Sequence, residues 1–293
     1  SYEELAQLLT PEELAEIAEH FTVTEEGNFE GRNVLQRNHV GELSDTAEAA
    51  LAKMFTIRYG DTRENLVTFP PARNNEEAKT GNWVGRIPPV TDTKAIVAWN
   101  SLMISGLARA YAVFGKNEYL ALAVKAANFI LDRQWVNDRF HRLNYDGKPA
   151  VLAQSEDYAL FVKALLDLHQ ACLRGNQGEV SQFPNANFWL QKAVQVQAEF
   201  DEFLWSIELA GYYNTASDAS GDLVVRERSY NDNATPSANG VAIANLIRLA
   251  LLTEDLQYLD RAEQALPAFS MVMSESPQAC PSLFAALDLY LHH

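Results

Sequence analysis

Cysteine is scarce in this 293-residue sequence: there are two, Cys172 and Cys280, far apart and in apolar contexts. With no C-x-x-C and no Cys/His cluster, neither a disulfide framework nor a zinc site is encoded. Reduced thiols in a cytoplasmic protein are the expectation. Basic residues are also in short supply, 23 Lys and Arg against 39 Asp and Glu, for a formal net charge of −16. Such a surface repels phosphate backbones and anionic headgroups, which argues against nucleic acid and membrane as partners. Long hydrophobic runs are missing too. The longest, from 241 to 252, is broken by Asn245 and Arg248 and is too short to span a bilayer. No Walker motif, G-x-G-x-x-G or G-x-S-x-G elbow occurs, so no nucleotide cradle or serine-hydrolase nucleophile is expected. No cofactor and no metal are expected.

What the sequence does contain is an internal repeat. With Asn100 placed over Asn239, Leu107 falls on Leu246, Tyr119 on Tyr258, Leu120 on Leu259 and Ala123 on Ala262. The offset equals about two helix-hairpin units. A middle unit fits between them, opening at Ser155-Glu156-Asp157-Tyr158, with its second helix near Phe188-Trp189-Leu190.

The two helices of a unit differ in kind. The first is apolar almost all round, as in Leu102, Met103, Ile104, Leu107, Tyr111 and Phe114, and must be enclosed by other helices. The second carries one apolar stripe, as in Leu259, Ala262, Leu266 and Phe269, with polar residues facing away. Enclosed and half-exposed helices in alternation make two concentric layers. The expected fold is therefore all-α, an (α/α)6 toroid incomplete at its N-terminus, in a single domain over 1–293 with small β-hairpins at the barrel mouth.

Loop lengths locate the candidate site. Connections into the inner helices are long, over 64–98, 137–154 and 206–235, and all lie at one end. Two of them read as hairpins. One turns at Tyr145-Asp146-Gly147-Lys148, and the other pairs Tyr212–Thr215 with Leu223–Arg226. Long loops on a rigid scaffold are where binding residues concentrate.

These loops bring Asp92, Lys94, Trp99 and Asn100 from the first connection, and His141, Asp157 and Tyr158 from the second. The third supplies Tyr213, Arg226, Glu227, Asp232, Ser237 and Asn239. Carboxylates flanked by aromatic rings suit sugar chemistry, since glycoside hydrolysis uses one acid to protonate the leaving oxygen and another to activate water or attack carbon. Asp92, Asp157 and Asp232 are the candidate catalytic acids, and the other residues are candidate ligand contacts. Each has a plainer reading. Asp157 sits in a first helical turn, where the helix dipole favours a carboxylate. Ser155 and Thr235 are placed to cap helices, Pro236 to follow a cap, Glu227 to pair with a neighbouring arginine, and Trp99 to pack a core.

Four ordered motifs carry a resemblance. Glu26-Gly27-Asn28-Phe29-Glu30-Gly31-x-Asn33-Val34-Leu35, Asp92-x-Lys94 with Trp99-Asn100-Ser101-Leu102-Met103, Asp157-Tyr158-Ala159, and Asp232-x-Ala234-x-Pro236-Ser237-x-Asn239 resemble the signature of YyaL-like proteins. These are thioredoxin-domain proteins that include spermatogenesis-associated relatives in animals. Ser101, Ala238 and Gly240 depart from the family pattern. The resemblance implies a C-terminal piece of a longer protein, a toroid similar to six-hairpin glycosidases and N-acylglucosamine epimerases. Its partner would be its own N-terminal thioredoxin-like domain. Three functions stay open on these grounds: a glycoside hydrolase-like enzyme with a sugar-like ligand, a sugar epimerase-like enzyme using His141, and a non-catalytic helical scaffold.

Overall fold

The computed structural model describes residues 1–66, 72, 74–83, 87, 89–137, 139–175, 183–219 and 225–292, the side chains of 174 and 175 excepted. The described chain is predominantly helical and forms two compact units, Ser1–Asp92 and Thr93–His293.

The first unit contains α1 (Tyr2–Leu8), α2 (Pro11–His20), α3 (Asp45–Tyr59) and α4 (Asn75–Thr80). Ser1 and Thr10 close capping boxes with Glu4 and Glu13, satisfying amide donors that a helix start leaves free. Leu9, Ile17, Phe21 and Ala50 form its core, joined by Leu5, Leu14 and Met54. The family-like segment at 26–35 is a braced loop. Asn28 donates to the Thr22 and Val34 carbonyls and accepts from the Val34 amide, while Asn33 exchanges two bonds with the Thr24 backbone. Its asparagines therefore hold the chain's own backbone.

The second unit holds the layered arrangement. Its helices are α5 (Val97–Phe114), α6 (Asn117–Arg133), α7 (Ser155–Gly175), α8 (Ala186–Leu204), α9 (Ala238–Thr253), α10 (Leu256–Ala268), α11 (Ser270–Glu275) and α12 (Pro281–Leu291). α5, α7, α9 and α12 lie side by side as the inner layer, and α6, α8 and α10 pack behind α5, α7 and α9. This is a sector of an α/α toroid, and the sequence repeat maps α5 and α6 onto α9 and α10.

α7 is the most enclosed element. From Ser155 to Cys172 every residue is buried except Glu156, Lys163 and Gln170. α5 behaves otherwise: Trp99, Met103 and Val113 remain 60%, 63% and 76% exposed, so an apolar composition did not guarantee enclosure here. Trp99 does not pack the core.

A small sheet covers the starts of the inner helices. Its strands are β1 (Ala95–Ile96), β2 (Trp135–Val136), β3 (Arg139–Tyr145) and β4 (Lys148–Leu152), and β3 pairs antiparallel with each of the other three. Tyr145 pairs with Lys148, which leaves Asp146 and Gly147 as a two-residue turn with φ of 50° and 82°. Two consecutive positive φ values mark the type I′ turn whose twist matches a hairpin. In the other expected hairpin, residues 220–224 lie outside the described residues; Tyr212 bridges Trp205, and the Asn214 amide donates to the Glu227 carbonyl. An aromatic stack runs beneath: Phe140 on Phe161, Tyr158 on Phe200, and Phe200 on Tyr212.

Candidate functional site

The starts of α7 and α9 frame a cavity of about 330 Å³ in the second unit, lined by Gln154, Glu156, Asn214, Asn231, Asn233 and Thr235 among others. Its lining is rich in amides and hydroxyls. Glu156 is its carboxylate and keeps 25% of its side chain exposed. Thr235 Oγ1 donates to Glu156 Oε1 at 2.9 Å, and both Arg142 Nη atoms approach Oε2 at 3.4 Å. The side chains of Gln154, Asn231 and Asn233 form no hydrogen bond among the described residues, so their amides remain free to meet a ligand.

The sequence-derived acids sit differently. Asp157 is wholly buried and fully engaged. Its Oδ1 accepts the Ala98 amide at 3.1 Å; its Oδ2 accepts the Gln154 amide at 3.0 Å and Arg142 Nη1 at 2.9 Å. It therefore ties the first turn of α5 to the start of α7, using amides those helix ends would leave unpaired. Burial pushes its carboxyl up to about 6, against the opposing pull of Arg142 and the two amides. Arg142 bridges Asp157 to Glu156, so a single guanidinium links the brace to the cavity.

Asp232 is spent in the same way. Its Oδ1 accepts the Ser237 amide at 2.7 Å and Ser282 Oγ at 2.5 Å, and its Oδ2 accepts the Ser282 amide at 2.6 Å, joining the approach to α9 to the first turn of α12. Asp232→Ala is expected to cost about 2 kcal/mol in a urea melt, because two amides lose their acceptors. A melt matching the wild type would show those bonds to be dispensable. Asp92 is the exposed last residue of the first unit.

The remaining candidates divide by what they touch. Asn239 is buried, accepting the Tyr212 amide and donating to the Tyr212 and Ser229 carbonyls. Tyr158 is buried and donates to Glu199 Oε1 at 2.6 Å; burial and that carboxylate raise its pKa. Ser237, not Thr235, is the cap of α9, accepting from the Gly240 amide at 3.3 Å. Arg226 stacks 4.1 Å from the Tyr213 ring and donates to the Thr215 and Phe203 carbonyls. Asn100 donates back to the Ile96 carbonyl. Lys94, Trp99 and Glu227 are exposed. His141 sits on β3 between Phe140 and Arg142, so strand alternation turns it to the face opposite the one carrying Arg142 toward Glu156. Its Nδ1 lies 3.0 Å from the Arg139 carbonyl, so that nitrogen carries the proton.

Buried Glu199 and half-buried Asp201 carried no sequence signal. Glu199 accepts the Phe140 amide and the Tyr158 hydroxyl, and Asp201 accepts from Tyr212, Gln197 and Arg261. Burial raises the Asp201 pKa, and burial with Asp201 raises that of Tyr212. Among the described residues, no group of three or more His, Cys, Asp or Glu side chains could hold a metal ion. No helix among them is long and apolar enough to cross a membrane.

No family model matches the chain. It is 32% identical over 207 residues to spermatogenesis-associated protein 20 of Rattus norvegicus, covering 67% of this chain and 25% of that protein. The Homo sapiens protein of that name is 31% identical over 213 residues, covering 69% and 26%. The chain belongs to the spermatogenesis-associated protein 20 family. An uncharacterized Caenorhabditis elegans protein extends the match to 97% of this chain and 38% of its own length, at 28% identity. The chain thus spans about a quarter of the mammalian family members.

Solved structures similar to it include a GH76 alpha-mannanase from Bacteroides thetaiotaomicron (17% identity, TM-score 0.46, 62% of this chain and 46% of that one). Another is a cellobiose 2-epimerase from Bacillus thermoamylovorans (16%, 0.47, 62% and 46%). Of the motif residues, Asp157 and Asp232 fasten inner helix starts to one another, and Asn239 holds the loop backbone at Tyr212 and Ser229.

Proposed function

We propose that the mouth of the second unit binds a neutral, polyhydroxylated ligand of the sugar type, with Glu156 as the carboxylate that meets it. The observation that carries this reading is the cavity lining. Unspent amides at Gln154, Asn231 and Asn233 offer paired donors and acceptors of the kind hydroxyl groups require, beside one half-exposed acid. With Asp157 and Asp232 engaged by backbone amides, Glu156 is the group with reach to exchange a proton with a glycosidic oxygen. Hydrolysis would need a second carboxyl group within about 10 Å. Binding alone needs none, so recognition is the activity proposed first and turnover second. The buried thiols of Cys172 and Cys280 fit a cytoplasmic setting, and a thioredoxin-like domain of the intact protein is the proposed partner.

The test is a thermal-shift and calorimetry screen of neutral mono- and disaccharides. A binder at ten times its Kd should stabilise the protein by about 1.4 kcal/mol. Glu156→Gln keeps the acceptor for Thr235 and should weaken that binder about ten-fold through the lost charge-assisted contact. A broad panel without response would leave the scaffold reading in its place.

A further inference from the structure

From Ser155 to Cys172 the accessible residues of α7 are Glu156, Lys163 and Gln170, spaced by seven. A helix drifts only about 20° over that interval, so they form one line along it. Glu156 ends that line in the mouth cavity, and Gln170 ends it in a second cavity of about 530 Å³. This second cavity is lined by Arg109, Val113, Asp167, Gln170 and Arg248 among others. Three inner helices contribute: α5 gives Arg109, α7 gives Asp167 and Gln170, and α9 gives Arg248.

Charge does not balance there. Asp167 is buried and uses both oxygens, Oδ2 toward Lys163 Nζ at 2.6 Å and Oδ1 toward Arg248 Nη2 at 2.9 Å. Lys163 also donates to Ser105 Oγ at 3.2 Å, and Arg248 to Gln170 Oε1 at 3.3 Å. Arg109 adds a third cation and pairs with no carboxylate among the described residues. Burial lowers the Lys163 pKa against the opposing pull of Asp167, and the charges of Arg109 and Arg248 add to the lowering. One carboxylate therefore faces three cations, with Arg109 at the exposed rim, in a chain whose net charge is −16.

We propose that this cavity is a binding site for a phosphate-type dianion, held by Arg109 and Arg248. Two arginines present planar donor forks suited to a tetrahedral oxyanion, and Asp167, itself paired with Lys163, fixes Arg248 in place. The anion comes either as free inorganic phosphate or as the phosphate of a small phosphorylated metabolite, and the chemistry of the site is the same for both.

The test is calorimetry and thermal shift on the purified protein with inorganic phosphate, glucose 6-phosphate, and chloride at matched ionic strength. Phosphate should raise the melting temperature where chloride does not. Arg109→Gln, at an exposed position that folding does not depend on, should weaken phosphate binding ten-fold or more. Arg248→Gln should do the same, and Lys125→Gln on the outer layer should change nothing. Equal affinity for the two phosphates assigns the site to the free ion; ten-fold preference for the ester that Arg109→Gln abolishes and Glu156→Gln leaves intact assigns it to a metabolite. Phosphate acting no differently from chloride, or wild-type affinity in both arginine variants, overturns the proposal. Neither result depends on whether the mouth binds sugars.

Discussion

Asp157→Ala is expected to lower the unfolding free energy by about 3–5 kcal/mol, the largest single effect foreseen for this protein. The substitution strands three donors at once: the Ala98 and Gln154 amides and Arg142 Nη1, all inside a closed interface between α5 and α7. Arg142 would be left with its longer contacts to Glu156 alone. Denaturant melts of the variant and the wild type give the comparison directly, and a loss below 1 kcal/mol would mean that the carboxylate is not a brace. The same residue sets a pH dependence. Its folded carboxyl titrates near 6 against an ordinary 3.8, so between those values the folded chain holds a proton that the unfolded chain releases. Its contribution is therefore full below about pH 3.8 and falls as the pH rises through 6, by roughly 3 kcal/mol at most. The penalty for Asp157→Ala should accordingly grow when the pH is lowered from 7 to 4. A penalty that shrinks on acidification would contradict this account.

Gly240→Ala is expected to destabilise by about 3 kcal/mol. A Cβ built on Gly240 would lie 2.0 Å from Ser282 Oγ, 2.6 Å from Ser282 Cβ and 2.8 Å from the Ser282 carbonyl carbon. A hydroxyl could swing aside, but the backbone of α12 would have to retreat from α9, and overpacking of that kind is costly. Retreat would also stretch the bonds from Ser282 to Asp232, adding the cap of α12 to the loss. Pairing the change with Ser282→Gly should restore only part of the stability, because the carbonyl carbon stays in the way. Full recovery in the double variant would show that side-chain crowding was the whole effect.

Much of the architecture could be read from hydrophobic spacing. The Asn100–Asn239 repeat placed α5 and α9 in one layer and α6 and α10 in the other, and the Asp146-Gly147 turn was legible because few residue pairs accept two positive φ values. Enclosure was less legible. α5 is the more apolar of the two, yet α7 rather than α5 has helices on three sides, and neighbours are a property of the assembled layer. The motif acids were found as positions, but sequence spacing does not say whether a carboxylate near a helix start turns inward to amides or outward to a cavity. Asp157 and Asp232 turned inward, and adjacent Glu156 faces the opening. The polar run Asn231-Asp232-Asn233 was the available clue to the cavity wall, since asparagines flanking a spent carboxylate leave their own amides unspent.

The seven-residue stripe on α7 has a consequence for how this protein can change. With every other side chain from Ser155 to Cys172 locked into the interior, Glu156, Lys163 and Gln170 are the places in that stretch that can acquire new chemistry without disturbing their neighbours. Diversity among relatives, and any engineered retuning of what they recognise, should therefore gather on that narrow track and on the loops above it.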